Sequence, residues 1–397
     1  MMKKTFLLIS GCFKGEPFIK ACKEAGNRVY LVTSSSLRDK PWPFDHIDEI
    51  FYMEGEEQNW NMEHLTAGTA HLFRKHNIDR IVALDDFDVE KATALREHFR
   101  IPGMGQTTGR YFRDKLAMRI KAQEEGIPVP AFSPLFNDED INAYADQVEA
   151  PWVVKPRAEA SATGIKKVHS KDELWQVIHS LGDKRDQYLV EQFKPGDVYH
   201  VDSLSQNGKL EFCRVSRYMD TPFEVAHGGG IFRSATVPFG SKEDKALQKL
   251  TAKVMKAFGM NYSASHTEFI QNRADGKFYF LETSSRVGGA HLAEMVEASS
   301  GINLWAEWAK LETAVANGTS YQLPAVEKQH AGIVVSLARE MHPDTSSFSD
   351  PEIWWRLNMD YHIGMIVKSE KRERITELLD KYAARVGSEF HASAPSK

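Results

Sequence analysis

The sequence predicts an α/β protein, and three observations carry this prediction. From Lys3 to about Pro102, short apolar strands alternate with helices, a pattern typical of a doubly wound parallel sheet. The middle of the chain contains two hairpins, with the strong turn signals Asn207-Gly208 and Asp275-Gly276. From about Leu323, further strands and a closing helix indicate a smaller lobe. We therefore expect an N-terminal doubly wound domain, a core with antiparallel sheets and a small C-terminal lobe.

The N-terminal elements follow from apolar periodicity. The chain opens with the strand TFLLIS, a turn from Gly11 to Gly15 and a helix through EPFIKACKEAG, and the strand NRVYLVT comes next. A helix through HLTAGTAHLFRKHN then leads to the strand RIVALDD. The glycines after the first strand could cradle a phosphate, but no G-x-G-x-x-G is present, which favours a plain strand-to-helix turn.

The middle and C-terminal elements are read in the same way. We predict a helix from Tyr111 to about Glu125, the strand PWVVKP, a loop of small residues over 158–164, the strand IKKVH and a helix over 171–181. The strand QYLVEQF leads into the hairpin VYHVDSLSQNGKLEFCRVS, and a helix over 242–258 precedes the second hairpin. The strand YHIGMIVKS and the helix KRERITELLDKYAARV close the chain before a frayed tail.

Composition bounds the class of protein. The chain has 397 residues, 42% hydrophobic and 26% charged, with a net charge of −5, so no basic surface for nucleic acid is expected. Three cysteines without metal-ligand spacing fit a reducing cytoplasm. The start of the chain resembles an export signal, but its apolar run is shorter than the roughly 7–15 residues required. No run of about 18 apolar residues predicts a membrane span.

The second hairpin contains the most informative chemistry. If its loop is centred on Asp275-Gly276, Glu268 lies opposite Glu282, with the side chains about 5 Å apart on one face. Two adjacent carboxylates repel each other unless a cation or a proton lies between them. Arg286 and Gly288-Gly289 follow at once. This combination favours a magnesium–phosphate site over a general acid/base pair.

A second phosphate-binding element is predicted at Lys155, which ends a strand and precedes the small-residue loop RAEASATG. Such a loop lets backbone N–H groups approach phosphate oxygens while a lysine supplies positive charge. Lys115 is predicted to lie on a helix, and this position alone does not indicate a function. Glu191, at a strand end, could accept a hydrogen bond from an exocyclic amine or be a surface charge.

Missing patterns exclude several other enzyme classes. The HGGG run from His227 to Gly230 could form a lipase oxyanion hole, but the required G-x-S-x-G is absent, so we interpret the run as a flexible loop over a substrate. The P-loop pattern is absent as well. The histidines at positions 64, 71 and 76 do not share one helical face at ligand spacing, so no zinc site is expected there.

Four segments, taken in order, resemble the ATP-grasp superfamily and its carboxylate–amine ligase branch, which includes amino-acid and dipeptide ligases. They are DKLAMRIKAQEEGIPVP, PWVVKPRAEASATGIKKV, VEQFKPGDVYHVD, and HTEFI with FLETSSRVGGAH. The likeness covers roughly residues 1 to 310. It implies a pre-ATP-grasp (Rossmann-like) domain over 1–105, a small lobe over 106–190, a large lobe over 191–320 and a C-terminal α/β lobe over 321–397.

The resemblance also implies a site in which ATP lies between two antiparallel sheets. The implied nucleotide-binding residues are Lys115, Lys155, Ser161, Ala162, Thr163, Gly164, Glu191, Phe193 and Asp197. The implied metal ligands are Glu268, Glu282 and Ser284. Around the substrate we expect His227, Gly229, Arg233, Arg286 and Gly289. Arg286 and Lys155 are expected to act in catalysis, with ATP and Mg²⁺ (or Mn²⁺) as cofactors.

This chain departs from the family pattern at two positions. Val198 stands where a glutamate often binds the ribose, and Asp197 beside it is a substitute. Ser284 stands where an asparagine is common, and a serine is a shorter oxygen ligand for a second metal ion.

The function implied is a ligase that activates a carboxylate as an acyl phosphate for attack by an amine. Its partners are then small-molecule carboxylates and amines, not nucleic acid or membrane, with a homodimer left open. One alternative is a carboxylase or carbamoyl-phosphate-type enzyme acting through carboxyphosphate, which the lack of a biotin-attachment segment and a glutaminase domain disfavours. Another is a weakened nucleotide-binding regulatory module, motivated by Val198 and Ser284.

Overall fold

The structure, a computed structural model, describes residues 3–55, 59–160 and 163–392, with the backbone alone at 226–228. The strands of these residues form three sheets, one parallel and two mainly antiparallel. This is the mixed α/β architecture that the sequence predicts.

The N-terminal sheet is parallel and has the strand order β3-β2-β1-β4. Its elements are β1 (Thr5–Ser10), α1 (Glu16–Glu24), β2 (Arg28–Ser34), β3 (Glu49–Met53), α2 (Met62–Phe73), β4 (Arg80–Ala83) and α3 (Val89–Phe99). Every residue of β1 and β4 is buried, as expected for strands covered on both faces. The order reverses between β1 and β4, so a crevice is expected at their carboxyl ends.

The second sheet belongs to the small lobe and has the order β5-β8-β6-β7. The elements of this lobe are α4 (Gln106–Arg110), α5 (Lys115–Glu124), β5 (Phe132–Pro134), α6 (Asp138–Gln147), β6 (Trp152–Pro156), β7 (Lys166–Val168), α7 (Lys171–Leu181) and β8 (Tyr188–Gln192). The helix predicted from Tyr111 begins at Lys115, because the Asp114 carboxylate caps it by accepting from the backbone N–H groups of Leu116 and Ala117. Strand β8 continues through residue 190, the predicted boundary between the small lobe and the large lobe.

The third sheet has eight strands in the order β13-β12-β9-β10-β11-β14-β16-β15. Its strands are β9 (Gly196–Gln206), β10 (Lys209–Tyr218), β11 (Phe232–Thr236), β12 (Ser263–Asn272), β13 (Phe278–Ser284), β14 (His330–Leu337), β15 (Ile353–Arg356) and β16 (His362–Ser369). The helices of this part are α8 (Pro222–Gly228), α9 (Lys242–Ala257), α10 (Leu292–Ser300), α11 (Leu304–Asn317) and α12 (Arg372–Glu389). Both predicted hairpins form. The C-terminal strands extend this same sheet through the pairing of β11 with β14.

The HGGG run is only partly a loop, which corrects our interpretation. Thr221 and Glu224 form a capping box that starts α8, and the helix continues through Gly228. Gly229 ends it in the left-handed region, with φ 62°. The T-P-F-E pattern before the glycines was the available signal for this helix. His227 therefore lies on helical backbone, and its side chain is outside the described residues.

Candidate functional site

A cavity of about 720 Å³ lies between the small-lobe sheet and the eight-stranded sheet. Its volume is in the range typical of small-molecule sites. Ten of the predicted site residues line it: Lys115, Lys155, Thr163, Glu191, Phe193, Glu268, Glu282, Ser284, Arg286 and Gly289. Ser161 and Ala162 are outside the described residues.

The carboxylate pair forms in the predicted register, because β12 and β13 place Glu268 directly opposite Glu282. The Lys115 ammonium lies 2.7 Å from Glu282 Oε2, and the Tyr218 hydroxyl donates to Glu268 Oε1 at 2.8 Å. Burial raises the pKa of the Glu282 carboxyl, but the positive charges of Lys115 and Lys155 have a larger, opposite effect. The resulting pKa is about 2, below the usual value for glutamate. Glu282 is thus a charged carboxylate at neutral pH, and Lys115 compensates its charge.

Behind this pair lies a buried network of hydrogen bonds and ion pairs that the sequence analysis did not predict. Asp202 accepts from His266 Nδ1 through Oδ1 and contacts His200 Nδ1 through Oδ2, each at 2.8 Å. His266 Nε2 lies 3.6 Å from Glu268 Oε1. Burial lowers the pKa of His266, but Asp202 raises it to about 9 overall. His266 is therefore a buried cation that joins Asp202 to the carboxylate pair.

The opposite wall holds a second buried ion-pair cluster. Lys155 Nζ lies 2.5 Å from Glu191 Oε1, and Arg119 Nη2 lies 2.9 Å from Glu191 Oε2. Burial lowers the pKa of Lys155 to about 8, against the opposing effect of Glu191. Burial raises the pKa of Glu191, but Arg119 and Lys155 reverse this and leave it lowered. Glu191 thus holds both cations, and its acceptance of an exocyclic amine stays a prediction.

Apolar side chains line the cavity near Phe193. The Lys167 ammonium lies 3.7 Å from the centroid of the Phe193 ring, and the Phe193 backbone N–H donates to Pro151 O at 3.0 Å. Val198 and Leu281 add apolar surface to the same cavity. At Val198, the position of the expected ribose glutamate, the cavity wall is an aliphatic side chain that is 5% exposed.

Arg286 lies on the cavity wall beside Asp86, which the sequence analysis did not select. Arg286 Nη2 is 3.6 Å from Asp86 Oδ2, and Arg286 Nη1 donates to Val287 O at 2.9 Å. Burial lowers the pKa of Arg286, but Asp86 and Asp85 raise it above its usual value. Asp86 follows strand β4 of the N-terminal sheet and Arg286 follows β13, so the cavity between the other two sheets also reaches the N-terminal domain.

Four other predicted residues are not among those that line the cavity. Arg233 pairs with Asp220 at 2.7 Å and with Asp380 at 2.8 Å. Asp197 pairs with Arg217 at 3.2 Å and with Arg273 at 3.4 Å. The remaining two are Gly164 and Gly229. The structure brings none of these four to the cavity wall, so their nucleotide and substrate contacts stay predictions.

Comparison with known proteins agrees with this geometry. Residues 148–294 match the ATP-grasp domain. This segment is an ATP-grasp domain. The fold of the whole chain is similar to that in the crystal structure of an L-amino acid ligase from Bacillus licheniformis, which superposes with a TM-score of 0.75 at 18% identity and covers 98% of each chain.

Two curated proteins with similar sequences have amino-acid ligase names. An L-arginine-specific L-amino acid ligase of Bacillus subtilis is 28% identical over 235 residues, covering 57% of this chain and 56% of the relative. A D-alanine–D-alanine ligase of Neisseria meningitidis is 26% identical over 188 residues, covering 47% and 61%. The chain thus spans between half and two thirds of the length of these relatives. Among the described residues, no helix has the length and apolarity needed to cross a membrane.

Proposed function

We propose that this protein is an ATP- and Mg²⁺-dependent ligase that joins a small-molecule carboxylate to an amine through an acyl phosphate. The observation that supports this most directly is one cavity whose lining includes the apposed carboxylate pair together with Lys115, Lys155 and Arg286. Amino-acid ligase names among the relatives support an amino-acid or dipeptide ligase over the carboxyphosphate alternative.

Glu268 and Glu282 are the side chains that would hold Mg²⁺, with Ser284 as a further oxygen ligand. The donor set fits, because Mg²⁺ prefers carboxylate and other oxygen ligands and both carboxylates line the cavity. The Lys115 ammonium lies beside the Glu282 carboxylate, so the negative charge of Glu282 is already stabilised by a cation. When bound, Mg²⁺ would neutralise phosphate charge during phosphoryl transfer.

The proposed reaction has two steps. A carboxylate oxygen of the substrate attacks the γ-phosphorus of ATP, and ADP leaves from an acyl phosphate. The amine nitrogen then attacks the acyl carbon, inorganic phosphate leaves, and the nitrogen loses a proton as the amide forms. Lys155 and Arg286 supply fixed positive charge near the transferred group. Water would hydrolyse the acyl phosphate, so the reaction requires that the site be closed to bulk solvent while this intermediate exists.

The proposal predicts ADP release that requires both a carboxylate and an amine. Purified protein is mixed with ATP, Mg²⁺ and a panel of acids and amines, and ADP is followed with a coupled assay. Glu282→Gln should lower the rate by about 100-fold, because one metal ligand loses its charge. The control is Glu124→Gln, a carboxylate whose side chain is 60% exposed. Full activity of Glu282→Gln would show that the metal assignment is wrong, and ADP release independent of an amine would rule out the ligase.

We further propose that the enzyme acts in the cytoplasm, that Mn²⁺ can replace Mg²⁺, and that the chain forms a homodimer. Light scattering after size-exclusion chromatography tests the dimer, and repeating the ADP assay with each ion tests the metal.

A further inference from the structure

Four side chains on one face of the hairpin β12–β13 form a compact set of candidate metal ligands. Glu268 lies opposite Glu282, and His266 lies opposite Ser284. Side chains two residues apart in a strand point to the same face, so His266 and Glu268 share a face. All four side chains line the cavity. Three of them are the proposed oxygen ligands, and the fourth is an imidazole.

The two ring nitrogens of His266 have different surroundings. Nδ1 lies 2.8 Å from Oδ1 of Asp202, a fully buried carboxylate that is also bonded to His200. Burial raises the pKa of Asp202, but His266 and His200 lower it well below its usual range, so Asp202 is ionised and Nδ1 is the donor. Nε2 lies 3.6 Å from Oε1 of Glu268. This second nitrogen therefore faces the carboxylate pair.

The surroundings of His266 are those of a metal-binding histidine. Such a histidine donates its second ring N–H to a carboxylate, which fixes the tautomer and the direction of the other nitrogen. Asp202 supplies that carboxylate for His266. Neighbouring ligands of one octahedral ion, each about 2.1 Å from it, lie about 3 Å apart. The 3.6 Å between Nε2 and Glu268 Oε1 is therefore short enough for both atoms to reach one ion.

A plain ion pair between His266 and Glu268 explains this geometry less well. Their separation of 3.6 Å is too long for a hydrogen bond. A protonated ring beside Glu268 would also repel a divalent ion bound there. The same ring without its Nε2 proton presents a lone pair to the ion instead.

We infer that His266 binds the divalent metal ion through Nε2, as a third protein ligand beside Glu268 and Glu282. This role rests on the proposed function, which assigns the ion to the two carboxylates. In the metal-free protein Nε2 carries a proton; on metal binding this proton leaves to solvent and the lone pair becomes the donor. Because imidazole favours ions such as Co²⁺ and Zn²⁺ whereas Mg²⁺ prefers oxygen, His266 shifts the preference of the site away from Mg²⁺.

Pulsed electron paramagnetic resonance of bound Mn²⁺ tests the Nε2 contact directly and does not depend on turnover. The wild-type protein is prepared with ordinary histidine and with ¹⁵N-histidine, and each form is mixed with ADP and less than one equivalent of Mn²⁺. Spin-echo modulation from a directly bound imidazole nitrogen should appear in the first sample and change to the ¹⁵N pattern in the second. Because only histidine is labelled, the nitrogens of ADP and of the backbone cannot cause this change.

Substitution then assigns the signal to one histidine. His266→Gln should remove the nitrogen modulation, and calorimetry should show Co²⁺ binding weakened by at least about 10-fold, with a smaller loss for Mg²⁺. The control is His64→Gln, at an exposed position of α2, which should keep both the modulation and the affinities.

Bound Mn²⁺ without modulation from a histidine nitrogen would overturn the inference, even if His266→Gln weakened binding, because His266 would then only orient Glu268. Modulation that persisted in His266→Gln would overturn it too, by placing another histidine at the ion. The labelled wild type gives its result whether or not the variant folds. Absence of any bound Mn²⁺ would overturn the metal assignment of Glu268 and Glu282 together with that of His266, whereas ADP release without an amine would overturn the ligase alone.

Discussion

Substitution of Gly288 by alanine should disrupt the buried Asp202–His266 pair. A Cβ at position 288 would lie 2.6 Å from Asp202 Oδ1 and 3.0 Å from His266 Nδ1. An ordinary contact begins at 3.4 Å, so the carboxylate oxygen would have to move by about 0.8 Å. Asp202 is fully buried and bonded to a histidine through each oxygen, so no free direction is available to it.

The cost combines two effects. Overpacking of a tight site costs about 1–3 kcal/mol, and weakening a hydrogen bond between charged groups adds about 1.5–3 kcal/mol. We expect Gly288→Ala to lower the free energy of unfolding by about 3 kcal/mol. Because His266 lies 3.6 Å from Glu268, the displacement should also lower the rate of ADP release.

The neighbouring glycine supplies a matched control. A Cβ at Gly289 would meet nothing within 4 Å, so Gly289→Ala should retain wild-type stability. Urea denaturation, followed by tryptophan fluorescence, compares the two variants with the wild type, and the coupled assay measures ADP release. Equal stability of Gly288→Ala and Gly289→Ala would refute the argument that this glycine is required for the close approach of Asp202.

Three further predictions concern the cationic side chains. Because the pKa of Lys155 is lowered to about 8, the ammonium loses its charge as the pH rises through 8, and the affinity for an ATP analogue should fall there. Calorimetry between pH 7 and 9 measures this affinity, and a flat profile in the wild type would contradict the prediction. Lys155→Arg keeps its charge and should show no inflection. The lowered pKa of Lys155 also affects stability. Between its pKa of about 8 in the folded protein and 10.5 in the unfolded chain, the unfolded state binds more protons. The contribution of Lys155 to the free energy of unfolding therefore increases as the pH rises through this range. Arg119→Met leaves the buried Glu191 with one cation fewer and should destabilise the protein by about 3–5 kcal/mol in urea titrations, whereas an unchanged midpoint would show that Lys155 alone suffices. Arg233→Ala tests the predicted substrate contact: a KM raised 10-fold or more would support this contact, whereas an unchanged KM would show that Arg233 only pairs with Asp220 and Asp380.

Local sequence patterns predicted one part of the site well. Glu268 faces Glu282 as the turn and the alternation of side chains predict, but a register shift between Glu268 and Phe269, which the sequence analysis did not predict, contributes to this pairing. The same reasoning predicted the helix that begins at Lys115 only approximately, because the Asp114 cap decides where it starts.

The residues that the sequence analysis missed meet through long-range packing. The contact of His266 with Asp202 requires the pairing of β12 with β9, which no turn signal indicates. Asp86 and Arg286 come from different sheets, and their meeting depends on how the N-terminal domain packs on the rest of the chain. Consecutive aspartates after a buried strand, in RIVALDD, were the available signal for Asp86, and alternate polar residues in VYHVD were the signal for Asp202.

Strand β14 hydrogen-bonds to β11, and this pairing constrains how the gene can be shortened or recombined. A cut near residue 321 would remove three strands and leave the edge of β11 unpaired from Phe232 to Ala235. An uncovered strand edge is a template for aggregation. The C-terminal segment is therefore not a detachable module, and chimeras with proteins of the same fold should exchange the N-terminal parallel sheet rather than the last quarter of the chain.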